Sequence, residues 1–394
     1  NWNRKGVQPW WSNQLHAISM FGSGSLRSSI RNSRLANYLT YLEECNGYRN
    51  SMMGLQRLFF WCLMIGPGLV FAQSYPVELG QVRWLRDMDM AQYKAKKEGM
   101  PILILFQEVP GCLTCQRYGQ QVLSHPLIVE AIESCFVPLA IYNNVGGTDA
   151  EVVRYFNEPS WNNPVLRVID AKKIDVLPRF SGSCAPSEVV DYLVKALNEA
   201  EIDVPQYLLL LKSELNGNEK FATVTLGMHC FWTGEKVLGG MEGVLRTEAG
   251  FMQGQEVVNV CYNPEILSFE ALLMASTQMN CADRVFTDEG SEQKVAAFAL
   301  GSKRISGSET FRPDQDQKFY LSKTHYAGVP MSPMQAMKSN VLVGSGKNPN
   351  NVLSPLQIKM ADYMLREPKK SFQNRIQNDA WMDAYFSLRQ EIQL

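Results

Sequence analysis

The stretch Pro101-Ile102-Leu103-Ile104-Leu105-Phe106 is apolar at every position, and Cys112-Leu113-Thr114-Cys115 follows it after a short turn. A strand with one face in water carries a polar residue at every second place. A strand with no polar break is covered on both faces, the condition of a parallel strand in an α/β sheet. Gln116 to Leu123 then has helical spacing, which puts Cys112 at or just before a helix N-terminus. The positive end of the aligned peptide dipoles stabilises a thiolate there and lowers its pKa.

The surrounding segments keep the same pattern. Leu85 to Lys97 reads as a helix, and Ser124-His125-Pro126 opens another with proline at its first position, continued by Leu127 to Glu133. Phe136 to Tyr142 is a second strand. Asn163-Pro164 precedes a third, Val165 to Asp170, which ends in the turn Ala171-Lys172-Lys173; Val176 to Phe180 reads as a fourth strand and Ser187 to Asn198 as a closing helix. This order, with CxxC after the first buried strand and X-Pro before a later one, resembles the thioredoxin fold. Val109-Pro110-Gly111-Cys112 also resembles a group of secreted thioredoxin-like proteins whose Val-Pro-Gly precedes cysteine or selenocysteine. The resemblance implies redox-active Cys112 and Cys115 and a cis bond before Pro164, facing them. The competing readings are a zinc half-site and two inert cysteines; a structural zinc site wants two further ligands, and no second CxxC exists. His125 is expected at a helix start or on the surface.

A second cysteine also falls where a strand meets a helix. Phe221 to Leu226 alternates as a strand does and leads into Gly227-Met228-His229-Cys230-Phe231-Trp232, with a helix expected from Gly234. Val244 to Phe251 and Glu256 to Tyr262 read as two more strands, followed by an Asn263-Pro264 turn and a helix opening at Ser268-Phe269-Glu270-Ala271-Leu272-Leu273. His229-Cys230-Phe231-Trp232, Ala249-Gly250-Phe251, Glu256-Val257-Val258, Asn263-Pro264 and the Ser268 segment resemble, in order and spacing, the A-type peptide methionine sulfoxide reductases.

That resemblance implies Cys230 as the thiol attacking the sulfoxide sulfur, Glu256 as proton donor, and Phe231 and Trp232, with Phe251 nearby, as walls around the substrate methyl group. Cys230 would leave turnover as a sulfenic acid needing a second thiol. Cys281 is the better resolving candidate, because Cys261 falls on the opposite face of its strand from Glu256. The plainer alternatives are a buried Cys230 thiol, an ordinary strand carboxylate at Glu256, and buried apolar cysteines at 261 and 281. The sequence also departs from the family: His229 replaces glycine, the loop from Gly254 to Glu256 lacks a Tyr-containing insert, and the Asp-x-Gly-Thr-Gln-Tyr-Arg segment has no clear match. Tyr320 and Tyr326 are the candidates to replace the missing tyrosine donors.

Composition excludes more than it selects. With 394 residues, 45% hydrophobic and 20% charged, the chain has room for two or three ordinary domains. A net charge of -1 gives no electrostatic case for nucleic acid. Met52 or Met53, the positive Gly54-Leu55-Gln56-Arg57, the apolar Leu58 to Ile65 and Val70-Phe71-Ala72 read together as a secretory signal over 52–72, cleaved after Ala72. An uncleaved membrane anchor and a buried helix are the alternatives, although the apolar run falls short of the roughly twenty residues that span a bilayer. Residues 1–51 are expected to be an unstructured or artefactual extension. Of the nine cysteines, Cys45 and Cys62 lie in these segments, and the seven left are an odd number, so at least one thiol is expected to be free or catalytic.

The expected architecture is therefore α/β (α+β): a thioredoxin-like domain over 77–205, a shortened methionine sulfoxide reductase-like α/β domain over 206–301, and a wrapping extension over 302–394. Met331, Met334 and Met337 in that extension are either an oxidation-sensitive patch or helix packing, and His325 is expected to be structural. The expected function is reduction of peptide methionine S-sulfoxide by a secreted or periplasmic enzyme, with the first domain as reductant. Its partners are oxidised peptide or protein methionine and a thiol-disulfide electron donor, with membrane contact only through an uncleaved anchor. No cofactor and no metal ion are called for. The rivals are thiol-disulfide exchange alone and a binding or sensor protein on a degenerate reductase scaffold.

Overall fold

The apolar run forms β1 (Ile102–Gln107), every residue of it buried. It pairs in parallel with β2 (Val137–Tyr142), Ile104 opposite Leu139, and antiparallel with β3 (Val165–Ile169), which carries the short β4 (Phe180–Ser181); the order is β2-β1-β3-β4. The computed structural model describes residues 75–392 apart from 160, 162, 183, 218–220, 308 and 368–379, so the expected extension 1–51 and signal 52–72 lie outside the described residues. Helices α1 (Met88–Glu98), α2 (Leu113–Gln121), α3 (Pro126–Cys135), α4 (Thr148–Tyr155) and α5 (Pro186–Glu199) complete this layer. Leu103 and Leu105 point into a core with Ile132, Val168 and Leu193, while Ile102, Ile104 and Phe106 point into a second with Ala91 and Leu139. Two cores, one on each face, are why β1 has no polar break.

One expected strand is mostly absent. Over 176–180 only Phe180 joins the ladder, because Val176 and Leu177 turn into the first core. The preceding Asp175 carboxylate takes the Arg167 guanidinium at 2.8 Å, and Arg167 also pairs with Glu158 at 2.7 Å. An isolated bridge from Asp175 to Ile169 and the Val176 N–H on the Val168 carbonyl at 2.9 Å keep the start of the segment beside β3 without a continuous ladder.

Helix α6 (Gln206–Gly217) joins the two halves: Tyr207, Leu208 and Leu211 belong to the first core and Leu210 to the core of the second sheet. That sheet holds β5 (Ala222–Gly227), β6 (Val244–Met252), β7 (Gln255–Tyr262), β8 (Arg284–Phe286), β9 (Ile305–Ser306) and β10 (Arg312–Pro313), in the order β10-β6-β7-β5-β8-β9. Gln253 and Gly254, at φ of 52° and 76°, make the two-residue turn that joins β6 to β7 with the twist of the strands. Helices α7 (Phe231–Gly240), α8 (Phe269–Gln278) and α9 (Gly290–Leu300) accompany the sheet, α8 starting at Ser268, whose hydroxyl accepts the Ala271 N–H. β9 and β10 lie beyond residue 301, so the extension contributes two strands to this sheet.

The extension continues with α10 (Phe319–Ser322), α11 (Pro333–Gly344), α12 (Pro355–Arg366) and α13 (Trp381–Glu391). Ser332-Pro333 with Gln335 and Ser354-Pro355 with Gln357 each form a capping box, and the two glutamine amides bond each other at 2.8 Å. Met331, Met334 and Met337 are all buried, which decides for packing over an exposed oxidation patch. The C-terminal helices are tied back to α3: Glu130 accepts the Leu356 N–H at 3.0 Å and the Tyr385 hydroxyl at 2.5 Å, and His125 packs edge-on against Trp381. Among the described residues no helix is long and apolar enough to cross a membrane.

Candidate functional site

Cys112 is the exposed N-cap of α2, and Cys115, one turn in, is buried; their sulfurs are 3.5 Å apart. The Cys115 backbone N–H, then the Cys115 thiol, hold the Cys112 thiol below its ordinary range, while burial first and Cys112 second push Cys115 up to about 12. The pair is thus split into an accessible nucleophile and a shielded partner. Gly111 packs closely just before the pair, since a Cβ there would stand 2.2 Å from the Glu108 carbonyl oxygen and 2.7 Å from the Cys115 Cβ, and its N–H donates to Glu78 Oε1 at 2.8 Å. The Asn163–Pro164 bond is cis, as is Val109–Pro110. Adjacent asparagines after β2 gather these loops: Asn144 accepts the Val109 N–H at 3.2 Å, and the Asn143 amide donates to Asn163.

Cys230 occupies the same kind of position, as the half-buried N-cap of α7 after β5. Glu256 on neighbouring β7 reaches the same peptide: its Oε2 accepts the Phe231 N–H at 2.9 Å, while its carbonyl accepts the Met228 N–H at 3.0 Å. Thr233 Oγ1 donates toward Cys230 Sγ at 3.5 Å, and the Tyr320 hydroxyl lies 3.5 Å from that oxygen. Phe251, opposite Glu256 in the β6–β7 register, packs against Phe231 with ring centres 5.3 Å apart. The Trp232 ring stacks on Phe319 at 3.8 Å and its Nε1 donates to Asp314 at 3.4 Å. Gly250 permits the close approach of β10, since a Cβ there would meet the Phe311 ring at 2.6 Å.

A buried ion pair fixes the segment that brings Phe319 and Tyr320. Glu235, one helical turn from Cys230, is 0% exposed; its Oε1 accepts the Lys318 ammonium at 2.6 Å and its Oε2 the Lys318 N–H at 3.0 Å. The ammonium also donates to the Thr247 carbonyl at 2.6 Å. Lys318 sits in the left-handed region, at φ 51°, so the chain turns there and Phe319 and Tyr320 come back over α7.

Of the residues expected from sequence, Cys230, Glu256, Phe231, Trp232 and Phe251 converge, and Tyr320 joins them. Tyr326 does not: it is buried, its hydroxyl donating to Asn350 at 2.8 Å. Cys281 lies in the second core, its thiol donating to the Ser276 carbonyl at 3.2 Å and pushed up by burial to about 11. Burial likewise raises the half-buried Cys261. His125 is the N-cap of α3, as expected of a helix start; it is half-buried, and burial lowers it to about 4. His325 packs beside Tyr326 with ring centres 4.1 Å apart. Sequence reasoning missed Thr233, Phe319, Asp314, Glu235 and Lys318. Their one signal is an aromatic pair, Phe319-Tyr320, ending a polar run, and nothing local names its partner.

Residues 83–171 match a thioredoxin-like family model. The first domain is thioredoxin-like. Among curated proteins, peptide methionine sulfoxide reductase MsrA of Methanococcus maripaludis is 38% identical over 68 residues, 13% of this chain and 43% of the relative. The peptide methionine sulfoxide reductase of Drosophila melanogaster is 38% identical over 65 residues, 13% of this chain and 26% of the relative. The mitochondrial peptide methionine sulfoxide reductase of Homo sapiens is 29% identical over 124 residues, 25% of this chain and 53% of the relative. The matched part thus spans about half or less of each relative's length. A solved DsbH oxidoreductase is 17% identical, covering 34% of this chain and 94% of that one, with a TM-score of 0.26.

Proposed function

We propose that this chain is a thiol oxidoreductase that reduces peptide methionine S-sulfoxide at Cys230 and draws its electrons from the Cys112 and Cys115 pair of its own thioredoxin-like domain. The observation that carries the reading is the convergence on one helix start: a thiol, a carboxylate fixed to the adjacent amide, and two hydroxyls in line, walled by Phe231, Trp232 and Phe251. The similarity to peptide methionine sulfoxide reductases supports the same substrate class.

In this reading the Cys230 thiolate attacks the sulfoxide sulfur, Glu256 supplies the proton that the sulfoxide oxygen gains, and Thr233, backed by the Tyr320 hydroxyl, offers that oxygen a hydrogen bond as charge builds on it. The net result is a thioether and a Cys230 sulfenic acid: sulfoxide sulfur is reduced by two electrons and Cys230 sulfur is oxidised by two. The Cys112 thiolate then displaces the sulfenic oxygen, which takes one proton from solvent and leaves as water, and forms a Cys112–Cys230 disulfide. Cys115 attacks Cys112, frees Cys230 as the thiol and closes the Cys112–Cys115 disulfide, which an external dithiol reduces. Cys281, sunk in the core, has no part in this sequence. Export through residues 52–72 belongs to the same proposal and rests on the sequence pattern alone.

Protein reduced with dithiothreitol is expected to convert a methionine S-sulfoxide peptide, and Cys230→Ser to lower that rate by more than about 10³-fold, as loss of a nucleophile does. Cys112→Ser is expected to stop recycling by a physiological dithiol while sparing the dithiothreitol-driven reaction. Undiminished turnover in Cys230→Ser overturns the proposal. Insulin-disulfide reduction with no sulfoxide conversion at all leaves only thiol exchange beside an inert scaffold.

A further inference from the structure

We propose that Glu108, Cys112 and Cys115 together bind one zinc ion in the reduced protein, a metal site that competes with thiol exchange. The two sulfurs and a Glu108 carboxylate oxygen all lie within 4.8 Å of one another, and the sulfurs are 3.5 Å apart. A tetrahedral zinc ion with bonds of about 2.3 Å to sulfur and about 2.0 Å to oxygen holds its ligand atoms roughly 3.5–3.8 Å apart. The sulfurs therefore already stand near the required separation, and the half-exposed Glu108 side chain has only a short approach to make.

The loop between the ligands is fixed on both sides. Gly111 donates its N–H to Glu78, Val109 donates its N–H to Asn144, and Gln107 holds the Cys115 carbonyl at 3.3 Å. One ligand thus hangs from the end of β1 and two from the first turn of α2, with their backbones held in place. Two thiolates and one carboxylate suit zinc, whereas magnesium and calcium want oxygen alone. Cys112 faces solvent, so a fourth position is open to water or to an incoming ligand. Counting CxxC motifs finds only half a zinc site in this sequence; the third ligand is a carboxylate at the strand end.

Binding replaces the two thiol protons with one metal ion and involves no electron transfer. The Cys112–Cys115 disulfide offers no thiolate, so only the reduced form binds, and the bound form has no free Cys112 to attack a disulfide.

Cobalt(II) is the probe, because thiolate ligation gives it a near-ultraviolet charge-transfer band and tetrahedral geometry an intense visible band. Reduced protein freed of dithiothreitol is expected to take up one cobalt with both bands, zinc to displace it, and oxidation of the pair to abolish both. Cys112→Ser, a conservative change at an exposed position, is expected to lose the charge-transfer band from this site. Glu108→Gln is expected to weaken binding by more than about tenfold, the least that loss of a supporting group costs a metal site. Full-strength cobalt binding in Cys112→Ser, or unchanged affinity in Glu108→Gln, overturns the proposal. Insulin reduction measured without metal reports separately on the thiol-exchange reading, so either can fail while the other stands.

Discussion

The two thiol sites begin alike and are completed differently. Cys112 and Cys230 are both N-caps of a helix that follows a strand. At the first site the residue that splits the pair, Cys115, is three positions away on the same helix. At the second, the carboxylate comes from β7 and the ring and hydroxyl over α7 come from Phe319 and Tyr320, almost ninety residues along. A site contained in one turn travels with its motif. A site assembled from distant segments depends on whatever fixes those segments, here the Glu235–Lys318 pair.

Glu256→Gln tests that difference most severely. The amide keeps an acceptor for the Phe231 N–H but has no carboxyl proton to give, so dithiothreitol-driven sulfoxide reduction should fall about 10²-fold or more, with insulin reduction unchanged. A loss in both assays would mean that the two sites are not independent. Lys318→Met should come next: it leaves Glu235 buried without its counter-charge and should cost about 3–5 kcal/mol in denaturant unfolding. The double variant Lys318→Met, Glu235→Leu should recover much of that stability. If it recovers stability without the sulfoxide reaction, the pair positions Phe319 and Tyr320 in addition to holding the fold together.

Tyr320→Phe keeps the ring and removes only the hydroxyl beside Thr233. The expected loss is about tenfold in kcat with KM little changed, below the full value of a direct oxyanion donor because Thr233 stands between. An unchanged kcat would remove the extension from the chemistry. The smallest effect is at the first site, where iodoacetamide trapping followed against pH should show Cys112 reacting first. Its thiol is held below the ordinary range, so its rate should rise and level off at lower pH than that of a free cysteine. Cys115, pushed up to about 12, should stay unlabelled in the native protein until strongly alkaline pH. Equal labelling of the two at neutral pH would mean that the split between them is absent.

The legibility of the fold follows the same division. β1 was readable because five consecutive apolar residues leave no face for water, and β5 because its apolar residues alternate with threonines. The segment 176–180 misled, since Val176 and Leu177 serve the core and only Phe180 at its end joins the ladder. Helix α6 was hidden because Leu208 to Leu211 face two cores, so its apolar residues are not confined to one stripe. β8, β9 and β10, of two or three residues each, are too short to show any period.

By itself the sequence determined that Cys112 and Cys230 would each stand at a helix start, because a strand running into a helix is a local pattern written in consecutive residues. The resemblance to the sulfoxide reductases singled out Glu256, and the structure brings its carboxylate to the Phe231 N–H. Only the tertiary structure decided between Tyr320 and Tyr326, buried Cys281 in the core, brought Lys318 under Thr247 and set Glu108 beside the two sulfurs. Periodicity reports which way a side chain faces within its own element, whereas these contacts depend on how separate elements pack, and that is fixed by the whole core at once.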